Sequence, residues 1–321
     1  MPSGSLTLLE ANKDSTNRLK RGVVATLIQE SPILEMLPFM SFEGNAIEVE
    51  VEVSLPEPQF RNVNETYNRS FGGNTKRMFG VSILGGEVFV DNYILRVHSN
   101  RANAKAKQYR KFAKAMSRTF DKYFFHGTGQ AKDFKGLNAL IAEGLGMELH
   151  ADTGSGNDAK PLTLDLLDEA MDMFRGQASP SAMLTIRWIR RQITRLARST
   201  YQGISLIDVG TDVFGRQVTM YNDVPIRIIG DDRTGQPILD FNEDPGDGGN
   251  DSTSLYIVAF GEDENVYGLS GLGGSMEVRD FGETEAAPGH LGRVEWYPGV
   301  AIDNPYSVVR LKGLAKADPS S

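Results

Sequence analysis

The charged residues whose types and spacing could support chemistry fall into four groups, and the first of them is basic. Six side chains share one face of a helix predicted over residues 96–126, opposite an apolar face. Such a face could bind a polyanion through its charge, although an ordinary solvated surface is the alternative interpretation. These residues are Lys107, Arg110, Lys111, Lys114, Arg118 and Lys122.

A second basic group lies on a shorter predicted helix that opens at Thr185 and runs to about Arg198. Arginine forms bidentate hydrogen bonds with carboxylates and phosphates. Because this helix has no acid of its own, we expect its arginines to form ion pairs within the domain or with another subunit, and nucleic acid is the alternative. The arginines that share one face are Arg187, Arg191, Arg195 and Arg198.

Three glutamates, Glu48, Glu50 and Glu52, alternate with apolar residues in the segment NAIEVEVEVSL at residues 45–55. Strict alternation predicts a β-strand with the carboxylates on one face. Since no histidine or aspartate accompanies them, we do not expect a metal or acid–base site. A solvated strand face, or a face that docks on basic surface of an adjacent subunit, is the expectation.

The fourth group lies in an acidic, glycine-rich segment, DFNEDPGDGGND. The spacing of Asp240, Asn242 and Asp244 resembles the start of a calcium-binding loop. Pro245, however, stands at the sixth position, where such a loop needs glycine, and Asp251 stands at the twelfth in place of glutamate. We therefore expect a surface loop, with these three residues as a weak metal candidate.

The sequence contains no recognisable catalytic motif. It has no H-E-x-x-H, no G-x-S-x-G and no phosphate-binding P-loop. It also has no cysteine, which excludes disulfides and thiolate metal sites. We therefore expect a non-enzymatic protein without a cofactor. The four histidines are scattered, at His98, His126, His150 and His290.

Composition indicates a soluble protein with segregated charge. The 321 residues are 40% hydrophobic, which is enough for a substantial core. The formal net charge is −8, yet the predicted helix over residues 96–126 carries nine Lys or Arg and one Asp, which indicates oriented surfaces. No apolar run is long enough to span a bilayer, and the first residues lack signal-peptide architecture. We expect synthesis in the cytoplasm and no membrane partner.

The helix predicted over residues 96–126 positions the first basic group. It contains no proline or glycine, and at 1.5 Å per residue it would be about 46 Å long. Gly127 and Gly129 follow it and are expected to end it. The apolar positions recur at the spacing of one helical face, at Ala102, Ala106, Tyr109, Ala113, Met116, Phe120 and Phe124.

Two segments precede this helix. Residues 1–41 are expected to form an arm with a helix from Asp14 or Ser15 to about Gln29 that packs on the body or on a neighbouring chain. Residues 42–95 are expected to form a long two-stranded arm whose tip is residues 61–77. A hairpin of that size is not expected to be stable without something to lie on.

The second half of the chain is expected to mix helices and strands. Thr163 is expected to cap a helix, and short strands follow. Residues 293–314 are expected to form two strands around a Pro-Gly turn. The predicted short strands are residues 182–184, Ile204–Val209, Arg216–Tyr221, Pro225–Ile229 and Ser254–Phe260.

This order of parts resembles the Hong Kong 97-like major capsid proteins of tailed bacteriophages, an α+β fold. The local segments FHGTGQAKDFKGLNAL, YNDVPIRI and VAIDNPYSVVRLKGL are also similar to that family. The resemblance implies an N-terminal arm, an extended loop called the E-loop, a peripheral domain with a long spine helix, and an axial domain. The implied bounds are 1–41 for the arm, 42–95 for the E-loop, 96–159 for the peripheral domain, 160–272 for the axial domain and 273–321 for the return and tail.

The resemblance also implies a function. The chain would assemble into the hexamers and pentamers of an icosahedral phage head that encloses double-stranded DNA, and it would be made in the host bacterial cytoplasm. The basic face of the spine helix would then face the lumen and contact phosphates without sequence preference. The glutamate and arginine groups would lie between subunits. A portal and a decoration protein are further expected partners.

Two alternatives stay open, and two features vary within this family. An encapsulin shell that packages protein cargo has the same fold, and a nucleic-acid-processing enzyme could use the Arg187–Arg198 face as a groove. Some members begin with a cleaved scaffolding segment. Here the arm begins near Met1, so a separate scaffolding protein is expected. Some members form Lys–Asn cross-links, and Lys76 is a conceivable donor without an assignable partner.

Overall fold

The fold mixes helices and sheets, as the sequence predicts. A computed structural model of the chain describes residues 18–97, 101–130, 132–152, 157–176, 178–200, 207–211, 215–262, 264–271, 276–285 and 287–317. The α-helices are α1 (Arg18–Glu30), α2 (Pro32–Met36), α3 (Asn92–Val97), α4 (Arg101–His126), α5 (Leu137–Ala142), α6 (Leu164–Asp172) and α7 (Arg187–Thr200).

The strands of the described residues belong to four sheets. The first eight are β1 (Phe39–Ser41), β2 (Ala46–Ser54), β3 (Gly73–Gly80), β4 (Leu84–Asp91), β5 (Met147–His150), β6 (Ala182–Thr185), β7 (Ile207–Thr211) and β8 (Gln217–Tyr221). The others are β9 (Val224–Ile228), β10 (Ser252–Val258), β11 (Val266–Ser270), β12 (Glu277–Glu283), β13 (Gly289–Trp296), β14 (Pro298–Ile302) and β15 (Val308–Ala315).

Strands that are distant in sequence lie side by side in these sheets. The seven-stranded sheet has the order β5-β15-β10-β6-β9-β8-β7. Two three-stranded sheets have the orders β1-β11-β14 and β12-β13-β4, and β2 pairs with β3. The central strand β10 is buried along its whole length. Most of the body therefore depends on pairings between early and late parts of the chain.

The long helix α4 lies at the centre of the main hydrophobic core. Its predicted apolar face is confirmed at Tyr109, Ala113, Met116, Phe120 and Phe124, which are all buried; the side chain of Ala102 lies outside the described part. Of the predicted helix over residues 96–126, α3 contains residues 96–97 and α4 contains residues 101–126, and residues 98–100 are outside the described part of the chain. The first basic group lies on α4.

An aromatic cluster fixes the C-terminal part of α4. The ring of Phe120 lies 5.1 Å from that of Trp296, 5.7 Å from that of Phe134 and 6.3 Å from that of Phe39, measured between centroids. Gly127 ends the helix, as predicted. A Cβ atom there would lie 2.2 Å from the carbonyl oxygen of Phe134, so the close approach of the returning chain requires glycine.

The N-terminal segment is packed on the body. Helix α1 buries one face against α4, and β1 adds a parallel strand to β11. The predicted helix is therefore confirmed from Arg18 to Glu30, whereas residues 1–17 lie outside the described part. Val23, Val24, Leu27 and Ile28 carry the buried face of α1.

The paired hairpin is shorter than the predicted 42–95 arm. β2 and β3 pair from Ala46↔Gly80 to Ser54↔Gly73, and residues 55–72 connect them. The prediction that the two-stranded arm extends to residue 95 was wrong for β4, because β4 pairs with β13 in the body. Gly85 lies inside β4, where a Cβ atom would be 2.5 Å from the carbonyl oxygen of Val294.

The second half of the chain confirms several predicted elements and corrects one. The Thr163 side chain caps α6 by accepting a hydrogen bond of 3.2 Å from the Leu166 N–H. The predicted closing pair of strands was wrong: β13 and β14 flank Tyr297 but belong to different sheets, and Pro298 begins β14. The strands part because the Trp296 ring is buried in the core while β14 pairs with β11.

Candidate functional surfaces

The basic face of α4 divides into two sets. Lys114, Arg118 and Lys122, which we call the paired cations, lie near acids from other elements. The Nζ of Lys114 is 2.9 Å from a Glu30 carboxylate oxygen, and the Arg118 guanidinium is 4.0 Å from the same oxygen. The Nζ of Lys122 is 3.1 Å from an Asp232 oxygen.

The other three side chains are the open cations, Lys107, Arg110 and Lys111. All three are exposed, and within the described ranges no carboxylate lies within ion-pair distance of any of them. They occupy about one turn of α4, and like charges at this spacing repel one another. This part of the face is therefore available to a polyanion.

The acid that holds Lys122 is itself fixed by a turn. Asp232 accepts hydrogen bonds from the Thr234 hydroxyl at 2.6 Å, the Thr234 N–H at 2.7 Å and the Gln236 N–H at 3.1 Å. The Thr234 hydroxyl first, and then Lys122 and the backbone groups, hold the pKa of Asp232 far below its usual range. Asp232 therefore stays ionised and holds Lys122, a role that the sequence did not indicate.

A buried acid on the opposite side of α4 was also missed. Asp121 is only 3% exposed and accepts a hydrogen bond from the Ser31 hydroxyl, which in turn caps α2 by accepting from the Leu34 N–H at 3.1 Å. Burial raises the pKa of Asp121 to about 7, against the opposing effects of Ser31 and Arg118. The available signal was its position between Phe120 and Phe124, on the apolar face.

The glutamate face of β2 is partly neutralised by its own hairpin. The Nζ of Lys76 on β3 lies 2.5 Å from Glu48 and 3.8 Å from Glu50; the side chain of Glu52 is outside the described part. The hydrogen bond to Glu48, followed by the attraction of Glu48 and Glu50, raises the pKa of Lys76. Because a protonated amine is not a nucleophile, this pairing disfavours Lys76 as a cross-link donor.

The connecting segment of the hairpin exposes large apolar side chains. Val63 is 88% exposed and Phe71 is 86% exposed. Monomeric proteins rarely leave contiguous apolar surface uncovered unless it binds something. The exposed residues are Leu55, Phe60, Val63, Tyr67 and Phe71.

The arginine face of α7 is confirmed as a single exposed face. Arg187, Arg191, Arg195 and Arg198 are all exposed, whereas Ile189 on the opposite side is buried. Across the residues that the structure describes, Arg187, Arg191 and Arg198 form no salt bridge or side-chain hydrogen bond.

In the acidic segment, two of the three weak metal candidates accept hydrogen bonds from nearby backbone N–H groups. Asp244 accepts hydrogen bonds from the Gly246 N–H at 2.7 Å and the Gly248 N–H at 3.0 Å, which lower its pKa. Asp240 accepts from the N–H of Phe241 at 2.8 Å. No group of three His, Asp or Glu side chains in the described part of the chain is placed to hold a metal ion. None of the described helices is long and apolar enough to cross a membrane.

Known proteins resemble this chain in sequence family and in fold. The family model of the major capsid protein GP7 matches residues 14–151, which is less than half of the chain. No curated protein sequence matches.

Several solved structures have a similar fold. An encapsulin from Synechococcus elongatus PCC 7942 is 17% identical with a TM-score of 0.62, over 88% of this chain and 87% of that chain. A chain from Microbacterium phage Oxtober96 is 15% identical with a TM-score of 0.58, over 88% and 90%. The capsid of an empty GTA particle is 9% identical with a TM-score of 0.59, over 89% and 90%.

At these identities, the structural similarity shows a shared fold, and the family match adds that residues 14–151 are similar to a major capsid protein. Both agree with the resemblance that the sequence indicated. The chain therefore has a Hong Kong 97-like fold, and its residues 14–151 are similar to the major capsid protein GP7 family.

Proposed function

We propose that the chain assembles into hexamers and pentamers of an icosahedral head, and that this head encloses double-stranded DNA. The single observation that carries the DNA part is the set of open cations on α4. Lys107, Arg110 and Lys111 are exposed, and no acid of the described chain neutralises them. Contacts to phosphates from such a surface are independent of sequence and weaken as salt rises.

The packing of α4 narrows the proposed lumenal surface. All six predicted cations were expected to face DNA, but the paired cations already have carboxylate partners in Glu30 and Asp232. Carboxylates of the same subunit therefore largely neutralise the charge of the paired cations. We therefore assign DNA contact mainly to the open cations, with the paired cations as a support that holds α1 and the Asp232 turn against α4.

The hairpin supports contacts between subunits. Its exposed apolar side chains, such as Val63 and Phe71, find no cover within the described subunit, and a neighbouring copy would bury them. We propose the same division of the chain as the sequence suggested: arm 1–41, E-loop 42–95, peripheral domain 96–159, axial domain 160–272 and return 273–321.

The charged faces outside α4 are proposed to lie between subunits. They are the glutamate face of β2, where Lys76 leaves part of the charge of Glu48 and Glu50 uncompensated, and the arginine face of α7. A separate scaffolding protein, a portal and a decoration protein are further proposed partners, and synthesis takes place in the host bacterial cytoplasm.

The test compares two triple variants in particles produced in bacteria. The open variant is Lys107→Gln/Arg110→Gln/Lys111→Gln, and the matched control is Lys114→Gln/Arg118→Gln/Lys122→Gln. We expect both to form particles. The open variant should retain less nuclease-protected DNA, and its difference from the wild type should shrink as salt rises, because salt weakens the phosphate contacts that only the wild type makes. The control should retain nearly the wild-type amount.

Two results would contradict the proposal. Equal DNA retention by the open variant and the wild type at every salt concentration would remove the lumenal role of the open cations. Particles that contain protein and no nuclease-protected nucleic acid would favour the encapsulin alternative, with which this chain shares its fold.

A further inference from the structure

Helices α6 and α7 carry opposite charges on their exposed faces. On α6, Asp165, Glu169 and Asp172 recur at intervals of four and three residues, so they share one face, and all three are exposed. On α7 the exposed face consists of arginines. Each helix buries its other face in one common apolar cluster, through Leu167 on α6 and Ile193 on α7.

Six of these charges, all but Arg195, find no partner inside the described subunit. Across the described ranges, Asp165, Glu169 and Asp172 form no salt bridge or side-chain hydrogen bond, and the same holds for Arg187, Arg191 and Arg198. The neighbouring Asp168 accepts a hydrogen bond of 2.7 Å from the Tyr221 hydroxyl. The two faces are therefore complementary, close in sequence and not matched with each other in one copy.

The positions of these charges within each helix also favour an outside partner. Arg187 is the first residue of α7, and Asp172 is the last residue of α6. A cation at a helix N-terminus and an anion at a C-terminus both oppose the helix dipole. Arg187 and Arg191 are also four residues apart, a spacing at which like charges destabilise a helix. An opposite charge brought by another surface would relieve both effects.

We propose that the acidic face of α6 in one copy docks on the arginine face of α7 in the next copy. This inference rests on the proposed function, because it needs the chain to self-assemble. A contact between two different faces of the same chain is head-to-tail, and such contacts form a ring where the rotation between copies closes. The lengths are compatible: Asp165 to Asp172 spans about 10 Å and Arg187 to Arg198 about 16 Å along their helices.

The first test uses the absence of cysteine from the chain. Glu169→Cys and Arg191→Cys are made as two separate proteins, so that any disulfide between them must join two copies. When the two are co-produced and mildly oxidised, we expect a cross-linked dimer. Each protein produced alone should give little dimer, because a head-to-tail contact brings residue 169 to residue 191 and not to itself. Equal cross-linking in all three samples would overturn the inference.

The second test reverses the charges. The acid-face variant is Asp165→Lys/Glu169→Lys/Asp172→Lys, and the arginine-face variant is Arg187→Glu/Arg191→Glu/Arg198→Glu. Each should lose assembly, measured by sedimentation velocity and negative-stain electron microscopy, with circular dichroism to show that the monomer is folded. One chain that carries both reversals should recover assembly, because each interface is again complementary.

A mixture of the two single-face variants gives a sharper result. One carries two negative faces and the other two positive faces, so they can only alternate around a ring. Alternation closes in a ring of even number, and we therefore expect hexamers and a loss of pentamers.

Several outcomes would overturn the inference while the proposed function stands. One is normal particle assembly by both single-face variants. Another is a doubly reversed chain that is folded but unassembled. A third is an arginine-face variant that assembles normally and loses only its DNA, which would assign α7 to nucleic acid. If the wild-type chain forms neither rings nor particles, the proposed function fails, and this inference fails with it.

Discussion

The two ends of the basic face of α4 have the same residue types and different surroundings. The paired cations lie over the part of the helix whose other side is buried among aromatic rings, and acids from α1 and from the turn at Asp232 reach them. The open cations lie toward the N-terminal end, where no described acid reaches them. The comparison shows that elements remote in sequence decide whether a cation is available to an outside partner.

The largest expected effect is on stability, and it concerns the buried sides of the two ends of α4. Phe120→Ala should lower the free energy of unfolding by about 3–5 kcal/mol, because it empties the centre of the aromatic cluster. The matched control is Phe112→Ala, at a half-buried position in the N-terminal half of α4, and it should cost clearly less. Urea unfolding of the monomer measures both. An equal loss of stability in the two variants would contradict the distinction between a packed end and an open end of α4.

A pH-dependent effect should follow at the packed end. The pKa of Asp121 in the folded protein is about 7, above the ordinary value for an aspartate of about 4. Between these values the native state holds a proton that the unfolded state releases. The contribution of Asp121 to stability is therefore fully present below about pH 4 and is lost as pH rises toward 7.

Asp121→Asn should abolish this dependence, since the amide oxygen can still accept from Ser31 and nothing titrates. Relative to wild type, the variant should therefore gain stability between pH 5 and pH 8, measured by urea unfolding at both values. Asp223→Asn is the control, because Asp223 is exposed and has a φ of 64° that asparagine adopts equally well. A parallel pH profile for wild type and Asp121→Asn would contradict the assignment.

The smallest effect concerns the cations themselves. Lys114→Gln/Arg118→Gln should lower stability by about 0.2–1 kcal/mol, because these two side chains share Glu30 in a partly exposed ion pair. Lys107→Gln/Arg110→Gln should leave the free energy of unfolding unchanged. Urea unfolding at low salt, where screening is weakest, measures both variants. A loss from the second pair as large as that from the first would show that the open cations have acidic partners after all.

A sequence pattern predicted an element correctly where the pattern depends only on residues of that element. The apolar face of α4, the Thr163 cap, the alternating strand β2 and the arginine face of α7 all follow from spacing within a single segment. The structure confirms these because burial of one face is enough to specify them.

The errors arose where a partner is remote. β4 was expected to return along the hairpin, and nothing within residues 84–91 indicates that β13, about 200 residues later, is its partner. The same reason explains why Glu30 and Asp232 were not assigned to the cations of α4. Asp121 was overlooked because an acid in a basic helix is expected in solvent, and only packing places it against Ser31.

The order of the seven-stranded sheet has a consequence for synthesis. β15, at residues 308–315, lies between β5 and β10, so β5 has no neighbour in this sheet until this late segment leaves the ribosome. Sheets built from such non-local pairings fold slowly, because the ends of long loops must meet first. We therefore expect the seven-stranded sheet of the nascent chain to remain incomplete, with β5 unpaired, until translation has passed residue 315. A subunit would then become competent to join its neighbours only after release of that segment, which delays assembly on crowded polysomes.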